Sequence, residues 1–166
     1  MTEPALTATE ALQWNQSTSS TWRKLISEHP EILALPCDIM KVSNVAQLLQ
    51  HIVAVELRYA ERILDQPETD YAAVPYDSVE AIYRTHDRAM ELYEQALATE
   101  TDWAEEIRFQ TRSAGMLLTS RKTMFFHALF HSIRHYAQLG TLVRQHDYNA
   151  NLYGDYLFMG LKPRQQ

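Results

Sequence analysis

Apolar residues recur at steps of three and four through four long stretches of this chain, the spacing that gives a helix one buried face and one wet face. The first stretch covers residues 9–27, carries Leu12, Trp14, Trp22 and Leu25, and stops at His29 and Pro30. After a linker over 31–41, Ser43 can cap a second helix reaching residue 64. Val45, Leu48, Leu49, Ile52, Val55, Tyr59 and Ile63 form its inner stripe, and Pro67 ends it. Residues 68–76 read as a loop. Asp77 or Ser78 then caps a third helix to residue 98, with Val79, Ile82, Tyr83, Ala89, Met90, Tyr93 and Leu97 inward. Ser120 caps the fourth, over 121–146, which is unusually apolar: Phe125, Phe126, Leu129, Phe130, Ile133, Leu139, Leu142 and Val143.

Four such helices predict an all-α fold, a four-helix bundle forming one domain over residues 1–166. Between the last two helices, residues 101–119 break the helical period. They read as a long loop or a short irregular hairpin with Gly115 at its bend, an insertion within the domain. The aromatic tail is expected to fold back on the bundle, with one turn near residues 155–158.

Composition narrows the function. The chain has 166 residues with 15 basic and 21 acidic side chains, a formal charge of -6, and no cluster of Lys and Arg long enough to track phosphates, so nucleic acid is not an expected partner. No apolar run approaches the length of a membrane span and the N-terminus has no secretory pattern, which predicts a cytoplasmic protein without membrane association. The lone cysteine, Cys37, excludes an intrachain disulfide and sits between apolar neighbours as a packing residue.

The chemistry concentrates in the fourth helix, where His127, His131 and His135 recur every four residues. Each step turns the helix by roughly 400° and rises roughly 6 Å, so the three rings share one face. His127 and His135 stand too far apart to hold one ion together. The useful pair is therefore His131 with either neighbour. A further ligand must come from another helix, and His51, which interrupts the apolar second helix beside Leu48 and Val55, is the best candidate. Imidazoles suit zinc, nickel or iron, and three of them leave a coordination position open. The plain alternative is that each histidine is a hydrogen-bonded core or surface group.

Other polar residues have candidate roles. Tyr59, two turns beyond His51, is placed to reach a substrate. Gln138, nearly one turn beyond His135, is placed to orient a ring or a water, or to make an ordinary interhelical bond. These two are the candidate catalytic side chains. Glu56 does not share the face of His51. His86 either lines the site as a proton carrier or forms an exposed pair with Asp87, the second being expected. Arg134 and Arg144 are expected to face outward or toward the C-terminal tail, and the TSRKT run at 119–123 to form a solvated cap rather than an anion site.

The segments HSIRHYAQL and TLVRQH, with HIVAVELRYAERIL upstream, resemble the signature helices of the DinB/YfiT-like family of metal-dependent enzymes, which shares only a name with a translesion polymerase. The resemblance covers most of the chain. It implies a four-helix bundle with a long crossover between the second and third helices, and a homodimer. It also implies a metal triad of His51, His131 and His135, with His127 a neighbour lining the site or bonding a ligand. Where family members often carry Asn before the first ligand of the last helix and Arg-Gly after the second, this chain has Phe130 and Tyr136-Ala137. Relatives include thiol-dependent transferases and isomerases. The implied function is thus activation of a small, low-molecular-weight thiol at one divalent transition metal held by three histidines. A metal-dependent hydrolase and a non-catalytic metal-binding or stress-response protein are the rivals. The hydrolase is disfavoured because no Glu follows a ligand as in HExxH.

Overall fold

The computed structural model describes residues 4–111, 115–150 and 154–159. Helix α1 spans Ala8–Glu28, α2 Val45–Ile63, α3 Val79–Ala98 and α4 Arg121–Gln145, with a two-stranded antiparallel hairpin of β1, Glu106–Thr111, and β2, Gly115–Ser120. The caps explain where the helices begin. Thr7 accepts the amide of Glu10 while the Glu10 carboxylate accepts the amide of Thr7, a reciprocal box. Ser78 and Ser120 accept the amides of Ala81 and Thr123. On α2 the cap is Asn44, one residue later than expected. Its Oδ1 takes the Gln47 amide at 3.0 Å, while Gln47 Oε1 turns back to the amide of Ser43 at 2.8 Å. Ser43 is thereby held by its main chain, which leaves the capping role to the Asn.

Side-chain pairings set the directions. Asn15 meets Leu129 and Ser19 meets Tyr136, so α1 and α4 run the same way. Gln16 meets Glu94 and Arg23 meets Asp87, so α1 opposes α3. His51 meets His131 and Ile63 meets Arg121, so α2 opposes α4. It follows that α2 and α3 are parallel neighbours, and the chain between them must return along the whole bundle. Residues 64–78 make that crossover, with one 3-10 turn at Tyr71–Ala73 on the way. Two further 3-10 turns, Pro30–Ala34 and Ile39–Lys41, make up most of the linker after α1.

Two apolar clusters fill the bundle. One gathers Trp22, Ile26, Leu48, Leu49, Ile52, Tyr83, Leu139 and Val143. The other gathers Leu12, Leu57, Ile63, Met90, Tyr93, Phe125 and Leu129. Each fully buried aliphatic or aromatic side chain contributes about 1.5–3 kcal/mol of transfer free energy, so these clusters carry the fold. Between Ile52 and Leu57 of α2 sits Glu56, which has no exposed surface at all.

The hairpin is regular, pairing Glu106 with Ser120 through Thr111 with Gly115; the segment 112–114 that closes it lies outside the described residues. Gly115 has φ 72°, a left-handed conformation that glycine adopts without a Cβ penalty. Phe109 tucks under Tyr59, while Met116, Leu117 and Leu118 face solvent. The expected solvated cap at 119–123 is not what forms at Arg121. Its guanidinium is 6% exposed as a residue, donates to the Ile63 carbonyl at the end of α2, and reaches Asp65 and Glu105 at 2.8 Å each. Two carboxylates and an unpaired helix-terminal carbonyl draw it inward. Tail residues 154–159 fold back as expected: Trp14 Nε1 donates to the Gly154 carbonyl at 2.6 Å, and the Tyr156 ring meets Trp14 edge-on. No described helix is long and apolar enough to cross a membrane.

Candidate metal centre

Helix α2 supplies His51 and helix α4 supplies His131 and His135, which meet where the two antiparallel helices face each other. His51 Nε2 lies 3.0 Å from His131 Nε2, and His135 Nε2 lies 3.1 Å from the same atom. The rings stand edge to face, at interplanar angles of 64°, 80° and 75°. Among the described residues this is the group of three or more potential ligands whose donor atoms converge, all within 4.8 Å of one another.

Hydrogen bonding alone serves this triangle badly. His135 Nδ1 lies 2.7 Å from Gln138 Oε1, so with the amide oriented this way Nδ1 carries the proton and Nε2 carries the lone pair. The same Nε2 takes a hydrogen bond from Arg134 Nη2 at 3.1 Å. On His131 the other ring nitrogen, Nδ1, is buried with no hydrogen-bond partner. Three imidazole nitrogens pointed at one another fit a cation better than they fit each other. Metal to nitrogen distances near 2.0–2.1 Å in a tetrahedral site put the nitrogens roughly 3.3 Å apart, close to the spacing found.

The electrostatics keep His131 and His135 neutral and thus able to ligate. Burial, followed by the charges of His135, His51, Arg134 and His127, pushes His131 down to about 2. Burial also lowers His135, with Arg134 adding to it and the Gln138 bond opposing it, and burial with Arg134 lowers His127. A stability consequence follows for the metal-free protein. Because the folded value of His131 lies below its ordinary 6.5, the unfolded chain binds a proton that the folded chain refuses as pH falls from about 6.5 toward 2. This contribution to stability is therefore flat above pH 7 and lost on acidification. We expect the parent to lose about 1–2 kcal/mol more between pH 7 and pH 5 than His131→Ala does. Urea midpoints of both at the two pH values read this directly, and equal losses would refute it.

The remaining sequence candidates fall around the triangle in different ways. Gln138 touches His135 and holds its ring, so it is a positioning residue. His127 is exposed as a residue but its ring is partly covered between two partners, its centroid 5.7 Å from that of Tyr59 and 5.7 Å from that of His131. Tyr59 is half-buried, covered by the Arg62 guanidinium, and joined to the triangle through the His127 ring. Burial raises its hydroxyl, with Arg62 and Arg58 opposing. Arg134, expected to face outward or toward the tail, is exposed as a residue, yet its guanidinium reaches back to His135 Nε2.

Three imidazoles thus converge from the second and fourth helices of a crossover bundle, and a family model, that of the DinB family, matches the chain over residues 1–152. The chain belongs to the DinB family. No curated protein matches it. Family membership and the histidine group together support metal binding by this DinB protein without fixing a reaction.

The expectation for His86 also fails in this DinB chain. His86 is not an exposed partner of Asp87: it is 5% exposed and its Nδ1 lies 2.8 Å from Glu56 Oε2, while Asp87 pairs with Arg23. Glu56 Oε1 accepts from Ser132 Oγ at 2.6 Å and from Asn15 Nδ2 at 3.1 Å. A fully buried carboxylate with three side-chain donors needs this arrangement, and His86 is drawn in to complete it. Sequence reasoning missed the role of Glu56. The available signal was its place four residues after Ile52 and seven after Leu49, on the apolar stripe itself.

Proposed function

We propose that this protein is a divalent-metal-dependent enzyme that activates a small thiol at an open coordination position, the metal being zinc, nickel or iron. The observation that carries the reading is the convergence of three imidazole nitrogens with no carboxylate or thiolate in the group. Three ligands is the count found in catalytic zinc sites, where a fourth position takes water or substrate. A metal bound there acts as a Lewis acid, favouring the ionised form of a thiol or water that joins it.

The protein's own part is to hold and shape. His51, His131 and His135 present lone pairs, Gln138 fixes the proton of His135 on the outer nitrogen, and Arg134 adds fixed positive charge at the rim. His127 and Tyr59 form an aromatic wall on one side. A thiol is favoured over water as the activated group because water attack calls for a general base. The buried carboxylate on α2, Glu56, is already committed to Asn15, Ser132 and His86. The test is to load the protein with zinc, nickel or iron and assay transfer of small thiols to an electrophile such as a chloronitrobenzene, beside hydrolysis of activated esters. Metal-dependent thiol transfer above ester hydrolysis is expected. Hydrolysis alone would favour the hydrolase, and metal binding without turnover a storage or sensing protein.

A further inference from the structure

The position of Arg134 carries an inference about what the centre takes. Its Nη2 donates to His135 Nε2 at 3.1 Å, the nitrogen that also faces His131. A guanidinium has donors and no acceptor, and it stays charged at any ordinary pH. Among the described residues no carboxylate lies within ion-pair distance of it, although the chain as a whole is acidic with a formal charge of -6. Of the other arginines on α2 and α4, Arg58 and Arg62 share Glu68 and Arg121 has Asp65 and Glu105, while Arg144, near the far end of α4, meets the Thr141 hydroxyl.

One lone pair cannot serve two cations. When His135 Nε2 ligates a metal, Arg134 loses its acceptor and stands beside a second positive centre with nothing of opposite sign to hold it. A guanidinium within hydrogen-bond reach of a ligand nitrogen and a metal on that same nitrogen repel each other, and an anionic group between them relieves both. We infer that Arg134 is the specificity residue of the centre, selecting a substrate that carries a carboxylate as well as its metal-seeking atom. In the thiol reading, on which this rests, the preferred thiol is a mercapto-carboxylate. The sulfur joins the metal, and the carboxylate takes the planar donor fork of Arg134, a geometry a lysine does not reproduce.

The test uses cobalt(II)-loaded protein, whose sulfur-to-cobalt absorption band reports thiol binding without turnover. Parent, Arg134→Gln and Arg134→Lys are titrated with 3-mercaptopropionate and with 2-mercaptoethanol. The parent should bind mercaptopropionate about tenfold or more tighter than mercaptoethanol, the effect of one charge-assisted hydrogen bond. In Arg134→Gln the ratio of the two affinities should fall to near unity, and in Arg134→Lys it should be intermediate. Chelation of cobalt by sulfur and carboxylate together would give a preference that survives in Arg134→Gln, and this would overturn the inference. So would equal affinities in the parent. If cobalt binds but neither thiol produces the band, the thiol reading fails. Acetate then serves as the probe, and the inference stands only if acetate perturbs the cobalt spectrum in the parent and not in Arg134→Gln. Protein that takes up no cobalt overturns the metal reading and the inference together.

Discussion

His131→Ala leaves the protein folded and strips it of metal. His131 is the shared vertex of the triangle, its Nε2 lying 3.0 Å from that of His51 and 3.1 Å from that of His135, so its loss leaves two ligands on different helices. Removing a supporting hydrogen bond from a metal site costs about 10–100-fold in affinity, and removing a ligand should cost at least about two to three orders of magnitude. In the metal-free state the same substitution should move stability by less than about 1 kcal/mol. The lost packing of a ring is offset by removal of a buried nitrogen, Nδ1, that has no partner. Metal content by elemental analysis, with zinc titration and urea unfolding in chelator, separates the two effects. A hydrogen-bonded core histidine would give the reverse pattern, lower stability with unchanged metal content.

Glu56→Ala is the most destabilising change we expect. The substitution deletes the acceptor of three buried side chains, Asn15, His86 and Ser132, which have no solvent to turn to. Breaking a buried, hydrogen-bonded pair by removing one partner costs about 3–5 kcal/mol. Set against a total of about 5–15 kcal/mol for an ordinary domain, that is enough to lower expression as well as the urea midpoint. Glu56→Gln should cost less, about 1–3 kcal/mol. The amide keeps one acceptor oxygen but turns N–H groups toward a donor that needs an acceptor. The bond from Tyr93 Oη to the main-chain carbonyl of residue 56 survives both changes, so Tyr93 is not part of the loss. A midpoint for Glu56→Ala within about 1 kcal/mol of the parent would show that the network relaxes or admits water, contrary to this account.

The helices were legible because burial imposes its period on the sequence. Positions such as Leu48, Leu49, Ile52 and Ile63 on α2, or Tyr83 and Met90 on α3, are buried where the stripe predicts. The histidine ladder on α4 was legible for the same reason, since a four-residue step fixes which rings stack. Choosing between His127 and His135 was another matter. Spacing leaves both open, and the resemblance favoured His135, the ring that the fold brings to His51. Long-range polar partners were the blind spot. Nothing local distinguishes an Arg121 that will reach Asp65 and Glu105 from one that will face water. Likewise nothing in residues 84–88 says that His86 will leave Asp87 for a glutamate thirty residues earlier. Apolar patterning reports which face is inward, whereas the partner of a polar group is decided by helix order and direction, which are properties of the assembled bundle.

The buried layer at Glu56 has a consequence for alignment. It takes one residue from each helix: Asn15 from α1, Glu56 from α2, His86 from α3 and Ser132 from α4. Leucines and isoleucines above and below it are nearly interchangeable, and apolar stripes alone would let a helix slide by a turn with little penalty. A slide of one turn, roughly 5.4 Å, would carry any one of these four groups out of reach of the others. The layer therefore works as a vernier that fixes the height of every helix against Glu56. Ser132 is the next residue after His131, and Glu56 is on the same helix as His51. The setting that satisfies a glutamate in the core is thus also the setting that brings three imidazole nitrogens to one point.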